Sequence, residues 1–189
     1  MKKTISTKTE KAGLTFKSIF KDSDRGCILS VGAILDKQLE LIHHGHIAFS
    51  TNRDQRIFKK LNSPYAPLGN FAGKIQIAFA YGLIDKATFD DLEIIRQLRN
   101  EAAHCMFDFS LENAGIVRVV NKLTALARSR HSKIRTGAEG IESTINSSVK
   151  GAAKQRFLAN GFALHLILMY LVVQHADRLL EKEKRKHLP

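Results

Sequence analysis

The segment from about Val149 to Glu183 constrains the fold of this chain more than any other, because its apolar residues return every three or four positions over about ten turns. The spacing predicts one helix about 50 Å long, and a helix of that length with an apolar middle serves as the central post of a bundle or as a dimer interface. Gly161 is where it is expected to bend. The strongly apolar run inside it, Phe162 to Val173, contains His165 and spans twelve residues. That is short of the roughly 20 needed to cross a bilayer, so the reading is a buried helix and no membrane partner.

The rest of the chain follows the same period. Stretches of strict alternation rich in β-branched residues are absent, which points to an all-α fold. A first long helix starts after the caps Asp22 and Ser23, carries Cys27, Ile28, Val31, Ile34, Leu35, Leu39 and Ile42, and fades at Gly45. A short basic helix covers about Gln55 to Leu61, and Pro64 and Pro67 then hold a loop open. A helix from about Asn70 to Tyr81 has Gly82 as its C′ residue. Thr88 and Asp91 read as a capping box opening a helix that continues to about Met106. One further helix is expected near Leu111 to Ala127. The expectation is a single compact bundle of about six to seven helices over 1–189, with flexible ends at 1–13 and 184–189 and a mobile basic loop at 128–147. Its 44% apolar content is enough core for one domain of 189 residues.

The formal charge of +12 raises a nucleic-acid reading, and its distribution refines it. Between Val117 and Arg156 nine Lys or Arg face two acids, a local net of +7, whereas Ile84 to Glu112 holds seven acids and three bases, a net of −4. Arg128, Arg130, Lys133 and Arg135 are the nucleic-acid candidates within the basic stretch of about 118–156. Cys27 and Cys105 fall in helical stretches without metal-ligand or disulfide spacing and read as small buried hydrophobes of a reducing compartment. Met1 to Ala12 has no apolar h-region behind it, so the expected location is the cytoplasm.

Within the acidic stretch, Arg99-Asn100-Glu101-Ala102-Ala103-His104 places a guanidinium, an amide and an imidazole within two turns of one helix. On a helical wheel Ile94, Ile95, Leu98, Ala102 and Cys105 form the core face. Asn100 and His104, four apart, stack on the other side near Glu93, Arg96 and Gln97. Arg99 lies on the flank, about 100° from Asn100 and about 140° from His104. A second copy packed across a two-fold axis is one way to bring Arg99 to His104.

Arg, a polar residue, three residues and His resembles the Rx4-6H signature of the HEPN superfamily, all-α proteins in which the motif, paired across a dimer, often forms a metal-independent RNase. The wider pattern resembles the mannitol operon repressor (MltR-like) family. The residues that carry this are Asp24-Arg25-Gly26-Cys27, then Ala66-Pro67-Leu68-Gly69 before Lys74-Ile75 and Tyr81-Gly82-Leu83-Ile84. Asp91-Leu92, Ile95-Arg96, Arg99-Asn100 and Ala103-His104 complete the set. The resemblance covers about residues 14 to 128. It implies an all-helical fold and a role in transcriptional repression without an obvious helix-turn-helix.

Three functional readings follow. The first is a repressor-like regulator, homodimeric, that works through a protein partner and needs no cofactor, with Asp24, Arg25, Arg99, Asn100 and His104 as a partner-binding or structural site. The second is an RNase in which His104 exchanges protons, Arg99 holds the phosphate and Asn100 orients a water or the imidazole. The third is direct DNA binding through the basic segment. In the purely structural version Arg99 pairs with an acid such as Asp91 or Asp24. His43, His44 and His46 lack a carboxylate or thiolate at ligand spacing and suit a helix C-terminus, so no metal is assigned.

Overall fold

The computed structural model describes residues 18–51 and 55–186. Eight helices are found among them, with no strand. They are α1 (Asp24–Thr51), α2 (Gln55–Leu61), α3 (Phe71–Ala80), α4 (Lys86–His104), α5 (Ala114–Val120), α6 (Ala125–Ser129), α7 (Arg135–Ser148) and α8 (Ala152–Lys186). The expected ends 1–13 and 187–189 lie outside the described residues, while 184–186 continue α8.

The long C-terminal helix is the post around which the others stand. α8 meets α1 most extensively and also contacts α4, α5, α6 and α7. Phe157, Leu158, Phe162, Ala163, Leu164 and Leu168 of α8 are buried with Ile28, Val31, Leu35 and Leu39 of α1. Over Ala152–Arg178 the helix is long and apolar enough to cross a membrane by length and composition, more than the run Phe162 to Val173 alone indicated. In this fold 61% of its most apolar window is buried inside the bundle. Gly161 is a contact point: a Cβ there would lie 2.7 Å from Val31 Cγ1, so its bare backbone lets α8 and α1 approach.

Several boundaries fall where expected. Asn70 caps α3 by accepting from Gly73 N at 2.8 Å, and Gly82 at φ 64 follows its C-terminus. Others move. α1 runs through Gly45 to Thr51. α4 begins a turn before the anticipated capping box: Asp85 is its N-cap and accepts from Thr88 N at 2.8 Å. Thr88 and Asp91 are instead buried inside the helix. The helix anticipated over 111–127 is broken into α5 and α6, and at the N-cap of α6 Asp91 takes both the N–H and the hydroxyl of Thr124, at 2.9 and 3.0 Å. Much of the anticipated basic loop is helical: α7 buries Ala138, Ile141 and Ile145, spaced three and four apart, against α8.

Candidate functional site

The hexad closes α4, whose C-cap is Cys105 in extended backbone. Carbonyls at a helix end lack intrahelical donors. Here Arg25, in the first turn of α1 and 80 residues away in sequence, supplies them. Its Nη2 donates to the Cys105 carbonyl at 2.5 Å and to the Phe107 carbonyl at 2.8 Å. Beside it Asp24 Oδ2 accepts from Leu111 N at 2.8 Å, and Lys154 Nζ stands 3.5 Å from Asp24 Oδ1. Asp24 and Arg25 thus clasp both ends of the loop 105–111 to the start of α1 through charge-assisted hydrogen bonds.

The clasp has a consequence at the surface. The backbone of Cys105 and Phe107 is held, yet Met106 is 92% and Phe107 82% exposed. With Ser23, Arg25, Asp108 and Phe109 they line a shallow depression at the end of α4. Asn100 and His104 are also exposed, one turn before. Exposed apolar side chains carried on a tethered backbone lose little conformational freedom when covered, as suits a contact surface.

Arg99 belongs elsewhere. Its stem crosses α1 at Gly32, where a Cβ would lie 2.7 Å from Arg99 Cδ, and its guanidinium carbon stands 5.8 Å from the centroid of the buried Phe71 ring. Asp91 and Asp24, the acids proposed as its partners from sequence, are taken by Arg128 and by Leu111 N and Lys154. The structure brings Asp24 and Arg25 together with the end of the hexad helix, leaves Asn100 and His104 on its open face, and turns Arg99 toward α1 and α3.

The basic candidates divide in a similar way. Arg128 donates from Nη2 to Asp91 Oδ2 at 2.7 Å, from Nη1 to Thr88 Oγ1 at 3.0 Å and from Nε to Thr124 Oγ1 at 3.2 Å, tying α6 to α4. Arg130 Nη2 donates to both carboxylate oxygens of Glu142, at 2.8 and 3.0 Å. Arg135 stands 3.8 Å from Glu139, and Lys133 is exposed. The three histidines of the first helix meet different neighbours. His43 Nε2 donates to the Lys74 carbonyl at 2.8 Å, and burial pushes its pKa down. The His44 ring meets Phe58 edge-on, and His46 lies between Tyr81 and His175. Among the described residues no three His, Cys, Asp or Glu side chains gather as a metal site. Cys27 and Cys105 are free thiols.

Met106, Phe107 and the Asp91–Arg128 clamp escaped sequence reasoning. Met106 and Phe107 carried a signal all the same, as two large apolar residues just past a helix end and before an acid.

No family model matches the chain, and no curated protein sequence does. What the geometry defines is a class, an all-α bundle built on one long C-terminal helix. That bundle is similar to the protein in the X-ray structure of the MtlR-HPr complex from Escherichia coli, with a TM-score of 0.54 and 15% sequence identity. The match covers 89% of this chain and 98% of that one. The chain therefore has an MtlR-like fold.

Proposed function

We propose that this chain is a repressor-like transcriptional regulator that acts through protein–protein contacts. Its partner sits on the end of α4, across Asn100, His104, Met106 and Phe107. The observation that carries this is the exposure of Met106 and Phe107 on a backbone clasped by Arg25. Covering both side chains is worth about 1.5–3 kcal/mol each, enough to make them the anchors of a contact. The likeness to a protein crystallised with HPr supports a protein partner and makes HPr the first candidate. The engagement of Arg128 and Arg130 with Asp91 and Glu142 favours this reading over one in which those arginines hold DNA. The working unit is taken to be a cytoplasmic homodimer, in keeping with the two free thiols.

The test is calorimetric titration of the purified chain with HPr, beside Phe107→Ser and Met106→Ser. The expected result is binding by the parent, weakened at least about tenfold in each variant, with unchanged melting temperature. Sedimentation at several concentrations reports the dimer. If HPr does not bind and the chain instead binds promoter DNA with an affinity that falls steeply with salt and tracks Lys133 and Arg135, the DNA reading replaces this one.

A further inference from the structure

Helices α5, α6, α7 and the start of α8 line a groove of about 660 Å³. Its wall is apolar along Leu123, Leu126 and Ala159, and its rim is polar. The charges on that rim are not alike. Arg130 and Glu142 neutralise each other across the groove. Glu112 stands at the start of α8, where a Cβ on Gly151 would come within 2.7 Å of its Oε1, and the positive end of the helix dipole compensates it. Arg156 is the exception: the acceptor it holds is the neutral Asn121 Oδ1, at 2.7 Å, and it forms no ion pair among the described residues. The amide oxygen of Asn121 thus orients a full positive charge over an apolar wall without cancelling it. The surrounding segment, Val117 to Arg156, carries a net charge of +7, which raises the potential there further.

A concave site of this size with an apolar wall and one oriented, uncompensated guanidinium matches a small organic oxyanion, a carboxylate or phosphate group on an apolar body. We propose that the groove is a ligand site for such a molecule, with Arg156 gripping the oxyanion through paired N–H donors and the apolar body lying along Leu123 and Leu126. This site is distinct from the partner surface at the end of α4 and does not depend on it. A ligand there bridges α6, α7 and α8, and so braces the segment that the Arg130–Glu142 pair already spans.

The experiment is titration of the full chain at fixed ionic strength with phenyl phosphate and benzoate, beside inorganic phosphate and benzyl alcohol. Arg156→Gln and Ala127→Phe are the variants. Arg156 is exposed, so its loss leaves the core intact, and Ala127 is an exposed groove residue whose enlargement fills the space without touching the guanidinium. Saturable binding of at least one aromatic oxyanion is expected, at least about tenfold tighter than inorganic phosphate or benzyl alcohol, and weakened about tenfold or more in both variants. The proposal is overturned if neither aromatic oxyanion saturates the parent below about 10 mM. It is equally overturned if Ala127→Phe leaves binding unchanged, because the anion then sits on the basic surface rather than in the groove.

Discussion

Arg128 Nη2 stands 2.7 Å from Asp91 Oδ2, joining residues 37 apart in sequence, and the Asp91 side chain is only 2% exposed. The carboxylate is satisfied on every side, by Arg128, by the Thr124 N–H and by the Thr124 hydroxyl. Together these bonds tie the start of α6, at Thr124 and Arg128, to α4.

Removing one partner of a buried pair strands the other charge. Arg128→Met leaves Asp91 with the Thr124 bonds alone and is expected to cost about 2–4 kcal/mol, read as a lower urea midpoint. Arg130→Met, which removes a far more exposed pair, is expected to cost less than about 1 kcal/mol. Equal losses in the two variants would refute the structural role given to Arg128.

Two glycines that are alike in sequence differ in what they face. A methyl at Gly161 meets Val31 Cγ1, a β-branched side chain held stiff in its own helix, so Gly161→Ala is expected to destabilise by about 1–2 kcal/mol despite better helix propensity. At Gly32 the same methyl meets the flexible stem of Arg99, which can shift. Gly32→Ala is expected to fall within about 0.5 kcal/mol of the parent. Thermal melts of the pair decide it.

His165 sits deep in α8, and burial pushes its pKa down to about 4, below the ordinary value of 6.5. The unfolded chain therefore binds a proton that the folded chain refuses, and stability falls as pH drops from about 6.5 toward 4 while remaining level above 6.5. The expected loss from this group between pH 7.5 and pH 5 is about 2 kcal/mol. His43 and His175, also lowered by burial, act in the same direction. His165→Leu should flatten the urea midpoint against pH over that interval without abolishing the slope. An unchanged slope would remove His165 as a cause.

The hexad yields a sharper outcome on RNA. With Arg99 over the Phe71 ring and His104 on the open face of α4, a single copy does not present the guanidinium and the imidazole to one phosphate. End-labelled total RNA incubated with the purified chain and EDTA is expected to remain intact, and His104→Ala is expected to behave identically. Cleavage by the parent and none by the variant would make Arg99, Asn100 and His104 an active site assembled between copies.

How much of this was legible beforehand depends on the range of the interaction that decides it. The bounds of α2, the start of α3 near Asn70 and the C′ role of Gly82 are legible in the sequence because each is settled within one helical turn. Thr88 and Asp91 were misread as a capping box, since their spacing is right for one and nothing local tells that a guanidinium 37 residues on would claim the carboxylate. The basic stretch read as a loop for a related reason. Its polar composition hid Ala138, Ile141 and Ile145, three small or medium apolar residues that need only one face of α8 to become helical.

The sequence by itself determined an all-helical bundle with a long C-terminal helix, because apolar periodicity is a local property that any bundle must obey. It also placed Asn100 and His104 on one face and Arg99 off it. Only the tertiary structure decided what those side chains meet: that Arg25 clasps the loop after α4, that Gly32 and Gly161 are the crossing points, and that Arg128 is ion-paired while Arg156 holds the neutral Asn121. Such pairings depend on how helices far apart in the chain are set beside one another, and that arrangement is settled by the packing of the whole core rather than by any single spacing.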